Sequence, residues 1–140
     1  MSSERLWSPA FINYGVSSGI FYMTQFVLVA ALPIILTAEL GGTALDAGLA
    51  MTYFQIGTIL CRPFAGRLID GLNKRIILLI SSVLFFIIMG LFNLTTSLQT
   101  IFVLRGLHGA IFALGTTVMA ALAVVVLPAS RKGEGINMFA

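Results

Sequence analysis

The stretch GRLIDGLNKR, Gly66 to Arg75, breaks with the chain around it. Only 9% of residues are Asp, Glu, Lys or Arg, thirteen in all, yet Arg67, Asp70, Lys74 and Arg75 fall within these ten positions. On either side the chain is apolar. Hydrophobic residues make up 59% of it and the mean hydropathy is +1.04, whereas a soluble domain is about 45–50% apolar and about 25% charged. Apolar runs of about 18 residues or more with few charges read as membrane spans. Four such runs are present, over about 10–36, 47–69, 76–94 and 100–127, and GRLIDGLNKR joins the second to the third.

A fifth apolar run starts at about 136. The closing INMFA reads as the first turn of another helix, with a short tail on the membrane surface as the alternative. The polar PASRKGEG before it looks like a connection between two spans, so the chain is expected to be the truncated front of something longer. The first run is too long for a signal core of roughly 7–15 residues. Cys61 is the only cysteine, which excludes a disulfide framework. The net charge of +3 is no nucleic-acid signal in such a chain, because what matters is where the basic residues stand.

Cytoplasmic loops of membrane proteins are enriched in Lys and Arg. Arg5 precedes the first span. TAELGGTALD has no basic residue, GRLIDGLNKR has three, TTSLQ has none, and PASRKGEG has Arg131 and Lys132. The alternation puts the N-terminus and GRLIDGLNKR in the cytoplasm. It accounts for the basic residues but not for Asp70, since acidic residues contribute little to orientation.

The spans differ in polarity. The third is almost uniformly apolar and suits a lipid-facing rim. In the first, Tyr14, Ser18, Tyr22 and Gln25 share one helical face, which either lines a cavity or bonds neighbouring helices, and Gly15 and Gly19 permit close helix approach. Pro33 is expected to weaken or kink its far end. In the second, Gly48, Thr52 and Gln55 share a face, Gly57 and Gly66 suit a helix contact, and Asp46 reads as an N-cap. The fourth carries Arg105 and His108 one turn apart, with Gly106, Gly109 and Gly115 open to close packing. Arg105 lies roughly 9 Å below the outer end at about 1.5 Å per residue. A central Arg costs about 2.5–3.5 kcal/mol on insertion scales, so it should face a cavity, a partner or the bundle interior. Snorkelling to the interface is the alternative. His108 reads either as a buried hydrogen-bonded imidazole or as a proton-handling group.

Taken together these residues resemble the major facilitator superfamily. A loop G-x-x-x-D-(R/K)-x-G-(R/K)-(R/K) after the second helix is its signature, met here by Gly66, Asp70, Lys74 and Arg75. Gly71 stands where a basic residue is usual and Asn73 where glycine is usual, Asn being the next-best residue for a left-handed backbone. The fourth-helix pattern R-x-x-x-G looks like Arg105, Gly109 and Ala113. The resemblance implies an all-α integral membrane fold, with this chain as the first part of a six-helix half. It places the first and fourth helices on a central cavity. It gives Asp70 the role of a latch that caps a helix of the other half, so the missing C-terminal part is an implied partner beside the lipid bilayer and a small-molecule substrate.

The function implied is secondary active transport of a small organic solute, resembling bacterial efflux-type antiporters of the cell (inner or plasma) membrane. The coupling ion would be H+, with no cofactor and no metal. Arg105 would tune a nearby carboxylate, and none lies at mid-membrane depth in these residues. Uptake of a sugar or metabolite stays open. The alternative is a complete four-helix membrane protein acting as an oligomeric small exporter or a non-transporting assembly subunit. The chain is not expected to be an enzyme: GVSSG at Gly15–Gly19 matches G-x-S-x-G, but a nucleophile elbow needs a strand-to-helix turn and Ser17 lies inside an apolar helix.

Overall fold

The computed structural model describes residues 6–138, and Arg5 lies outside them. Four long helices follow in order, α1 (Pro9–Ala38), α2 (Ala44–Gly71), α3 (Lys74–Phe92) and α4 (Leu98–Val125), then a 3₁₀ turn at Ala129–Arg131 and a short α5 (Lys132–Asn137). There is no strand among the described residues. All four long helices have the length and hydropathy to cross a bilayer.

Caps set the boundaries. Ser8 Oγ accepts from Phe11 N at 3.2 Å, and Pro9 follows at the first helical position, where its missing N–H costs nothing. Asp46 is not the N-cap of α2. Thr43 caps, its hydroxyl accepting from Asp46 N at 3.3 Å, while Asp46 Oδ2 accepts from Thr43 N at 2.7 Å. This reciprocal capping box starts the helix at Ala44, ahead of the expected 47. Thr43→Ala should lower the free energy of unfolding by about 1 kcal/mol, read from thermal unfolding in detergent; an unchanged midpoint would show that the box contributes nothing. Asn73 also differs from expectation. Its φ is −67° and it caps α3, its side chain accepting from Arg75 N at 2.9 Å. No non-glycine residue among those described has a positive φ. The helical path after α4 begins before 136: Pro128 O accepts from Arg131 N at 3.0 Å, and Arg131 grips Glu134 through two bonds of 2.9 and 2.8 Å. PASRKGEG is therefore largely helical.

Helix α4 is the hub, packed on by α1, α2 and α3, and its largest interface is with α2. Its buried residues, from Ile101 to Ala123, form a broad face, with Val103 and Leu107 left exposed on the other side. The other three helices each bury a stripe and leave much apolar surface exposed, as helices in lipid can. On α3 the stripe is Ile77, Ser81, Phe85 and Ile88. On α2 it is Ala47, Ala50, Phe54, Thr58, Ala65 and Ile69, so Gly48, Thr52 and Gln55 face away from the bundle. Pro33 does not end α1, which continues to Ala38.

Backbones touch where α2 crosses α4. A Cβ on Gly57 would overlap the Gly106 carbonyl oxygen, and one on Gly109 would overlap that of Phe54. The hydroxyl of Thr58 lies 3.0 Å from Phe54 O and 3.1 Å from Gly109 O, bridging the same crossing. Small residues that admit a neighbouring backbone are a common basis of helix association in lipid. Gly19, Gly48 and Gly66 have open space instead, and Gly115 meets the ring of Phe21.

Candidate functional site: a buried guanidinium held by three helices

The polar face of α1 lies antiparallel along α4. Tyr14 packs near Val118, Leu122 and Ala123, and Ser18 is buried. Tyr22 meets Phe112 edge-on with ring centroids 5.1 Å apart, and Gln25 reaches Arg105. Tyr22 remains 40% exposed, so of these four residues only Gln25 joins the charged centre.

Arg105 is fully buried, with 0% of its surface exposed. Its Nε donates to Ala50 O at 3.4 Å. Nη1 donates to Gln25 Oε1 at 3.1 Å and to His108 Nδ1 at 3.2 Å, and Nη2 to Met51 Sδ at 3.2 Å. The guanidinium carbon lies 4.6 Å from the centroid of the Phe54 ring, a cation–π distance. All these partners are neutral. Among the described residues no carboxylate pairs with Arg105. Of the open choices of cavity, partner or bundle interior, the side chain takes the bundle interior and collects dipoles from α1, α2 and α4. Planar Arg, with five donors in a fork, suits that task.

His108 is also 0% exposed. A guanidinium has no acceptor, so Nδ1 must accept from it, and the imidazole is the neutral tautomer with its proton on Nε2. Nε2 has no hydrogen-bond partner among the described residues. Aromatic rings surround it, with Phe54 and Phe85 at 5.1 Å and Phe92 at 6.1 Å between centroids.

Phe92 has a second face. Near the start of α4 it lines an open groove of about 480 Å³ between α1 and α3, together with Met23, Val27, Leu28, Met89 and Ile101, of which Met23 and Val27 are exposed. Thr24, Asn93 and Thr95 are its polar edge. Neither Arg105 nor His108 lines this space.

The loop residues stand apart from this centre. Asp70 is exposed in the last turn of α2, and its carboxylate makes no hydrogen bond or ion pair with the described residues. A negative charge there opposes the helix dipole, so nothing local explains an acid at this position. Lys74 and Arg75 open α3. Arg62, Arg67, Arg131 and Lys132 lie toward the same end of the bundle, while Glu39 and Asp46 lie at the other. No group of three or more His, Cys, Asp or Glu that could hold a metal occurs among the described residues.

Sequence reading missed Ala50, Met51 and Phe54. The carbonyl of an alanine leaves no mark in a sequence. The spacing of Ala47, Ala50 and Phe54 was the available signal, hidden in a helix that is apolar nearly all round.

An "Uncharacterized MFS-type transporter" of Pseudomonas aeruginosa strain LESB58 is 42% identical over 54 residues, and another of strain UCBPP-PA14 is equally similar. The aligned part is 39% of this chain and 13% of each relative, so the chain spans only part of their length. No solved structure gives a significant match. The profile described as Major Facilitator Superfamily matches residues 14–140, which takes in α1 from Tyr14 onward, the whole of α2, α3 and α4, the loop bearing Asp70 and the buried Arg105: this chain belongs to the major facilitator superfamily.

Proposed function

We propose that this chain is the front part of a secondary transporter that moves a small organic solute across the cell membrane. The observation that carries the reading is a guanidinium sealed at span depth and held by dipoles from three helices, in a chain of a transporter family. An ionisable group inside a membrane marks a working site by default. Here Arg105 ties α1 and α2 to the hub. Any relative movement of those helices must exchange its bonds.

Proton-coupled efflux is the finer reading. The coupling carboxylate would come from the rest of the protein and approach Arg105 as α1 shifts, since a nearby positive charge favours the ionised acid. Gln25 is the side chain that would give way. The N-terminus and the loop Gly66–Arg75 would face the cytoplasm, because the basic residues gather at that end. The test is solute accumulation in cells making the full-length protein, with and without a protonophore. Lower accumulation that the protonophore abolishes is expected. An effect the protonophore leaves intact removes the proton, and no effect on any of a broad panel of solutes removes transport.

Asp70 fits a latch to the second half of the transporter. Its carboxylate is free at the surface and costs α2 something locally, so its benefit lies in another contact. Asp70→Asn in the full-length protein should lower transport severalfold while membrane insertion and folding of α2 stay unchanged. Transport at the parent rate would leave the loop an orientation signal only.

A further inference from the structure

We infer that His108 is the positioning residue of the buried centre: it keeps hold of the Arg105 guanidinium when α1 moves away and limits where the freed N–H points. The inference rests on the transport reading above and adds to it a residue that acts through Arg105.

Both hydrogens of Nη1 are in use. One goes to Gln25 Oε1 at 3.1 Å and the other to His108 Nδ1 at 3.2 Å. The two partners differ in where they stand. Gln25 is on α1, and Ala50 and Met51 are on α2. His108 lies three residues along Arg105's own helix, so the α-helix itself keeps the pair adjacent. It is the only hydrogen-bond partner of Arg105 among the described residues that no movement between helices can carry away. When α1 shifts, Nη1 loses Gln25 and keeps His108. One N–H is then free, and the bond that remains restricts the directions it takes. A carboxylate arriving from the rest of the protein meets a guanidinium already aimed, with less side-chain freedom left to lose on pairing.

The imidazole is held in turn. Phe54 of α2 and Phe85 of α3 stand 5.1 Å from it between centroids, Phe92 of α3 stands at 6.1 Å, and Phe112 of α4 at 6.3 Å. No residue of α3 bonds Arg105 among those described, so the brace that α3 gives the ring takes no part in the exchange. Packing alone does not explain a histidine among these rings. A phenylalanine would fill similar space without an Nε2–H that has no partner among the described residues, and a buried donor left unmade is costly. What histidine adds is the acceptor Nδ1. Arg105 is the one charged group bonded to the imidazole among the described residues, so the ring serves as a fixed neutral acceptor.

Nitrogen-15 spectra of the imidazole in the full-length protein test the hold directly, the His108 signals being those lost in His108→Asn. Nδ1 should be unprotonated and hydrogen-bonded in the parent. It should stay so in Gln25→Ala, which removes the α1 bond as a movement of α1 would. A protonated Nδ1, or one that loses its hydrogen bond in Gln25→Ala, would overturn the inference. Function is read as initial rates in everted membrane vesicles, per amount of folded protein, with ethidium, norfloxacin and chloramphenicol as probes. His108→Leu, of similar size but without an acceptor, should lower the maximal rate roughly fivefold at an unchanged KM, the worth of about one hydrogen bond. His108→Asn, whose oxygen takes the place of Nδ1, should restore most of that rate. In the Gln25→Ala background the change to Leu should cost still more, since nothing then holds Nη1. Equal losses in the Leu and Asn variants, a parent-like rate in His108→Leu, or a loss confined to KM would each overturn the inference as well. A parent protein that moves none of these probes and no other solute of a broad panel sinks the transport reading instead, and the nitrogen-15 spectra then still decide whether His108 holds Arg105.

Discussion

A Gly109→Ala protein should fail to hold α2 against α4. The added methyl would occupy the space of the Phe54 carbonyl oxygen, with the Thr58 hydroxyl 3.0 Å away. The obstacle is backbone, so no rotamer change relieves it and the helices must separate. Overpacking a well-packed site costs about 1–3 kcal/mol, occasionally more. A rigid clash at the largest interface of the bundle belongs at about 3 kcal/mol or above. Alanine's better helix propensity returns at most about 1 kcal/mol, too little to change the sign. Gly57→Ala meets the Gly106 carbonyl oxygen and should behave alike. Gly48→Ala, with nothing within 4 Å, serves as the control and should be neutral or slightly stabilising. Thermal unfolding and size-exclusion profiles in detergent read the difference. A Gly109→Ala protein as stable as the Gly48→Ala control would show that α2 and α4 do not cross as described.

Arg105→Ala should reduce transport by the full-length protein by at least about tenfold. Its effect on stability is expected to be small, because two large terms oppose. Removing the side chain ends the bonds to Ala50, Gln25 and Met51 across helix boundaries, each worth about 0.6–2 kcal/mol in a membrane. It also ends the burial of a charge that costs about 2.5–3.5 kcal/mol to insert. Rates have no such compensation. Losing even about 1.4 kcal/mol from the step that needs this geometry is a factor of ten. Arg105→Lys separates charge from shape: a point-like ammonium cannot reach all the acceptors that the fork spans, so it too should transport slowly. Parent-like transport in the Lys variant would mean that charge alone matters. Parent-like transport in the Ala variant would reduce the cluster to packing.

The spans were legible because lipid imposes a plain rule on composition, and four long apolar runs separated by short polar ones have few other readings. The face of α1 was legible too, since Tyr14, Ser18, Tyr22 and Gln25 are polar residues in an apolar helix. The buried face of α2 was not. Gly48, Thr52 and Gln55 drew attention because they are small or polar, yet they are exposed, while the packing face is marked by alanines that differ little from their neighbours. The surroundings of Arg105 were legible only as alternatives. A search for its partner looks for carboxylates, and the structure supplies a main-chain carbonyl, an amide, a thioether and two rings.

That set of partners bears on how the protein is made. Gln25, Ala50, Met51 and Phe54 all precede Arg105 in the chain, and His108 lies on the same helix. When the ribosome delivers the fourth span to the bilayer, the first and second have already emerged. The guanidinium therefore need not wait in hydrocarbon for a later segment. Moving α4 ahead of α1 and α2 by circular permutation would present the same residues to the translocon in the wrong order and strand the arginine before its acceptors exist.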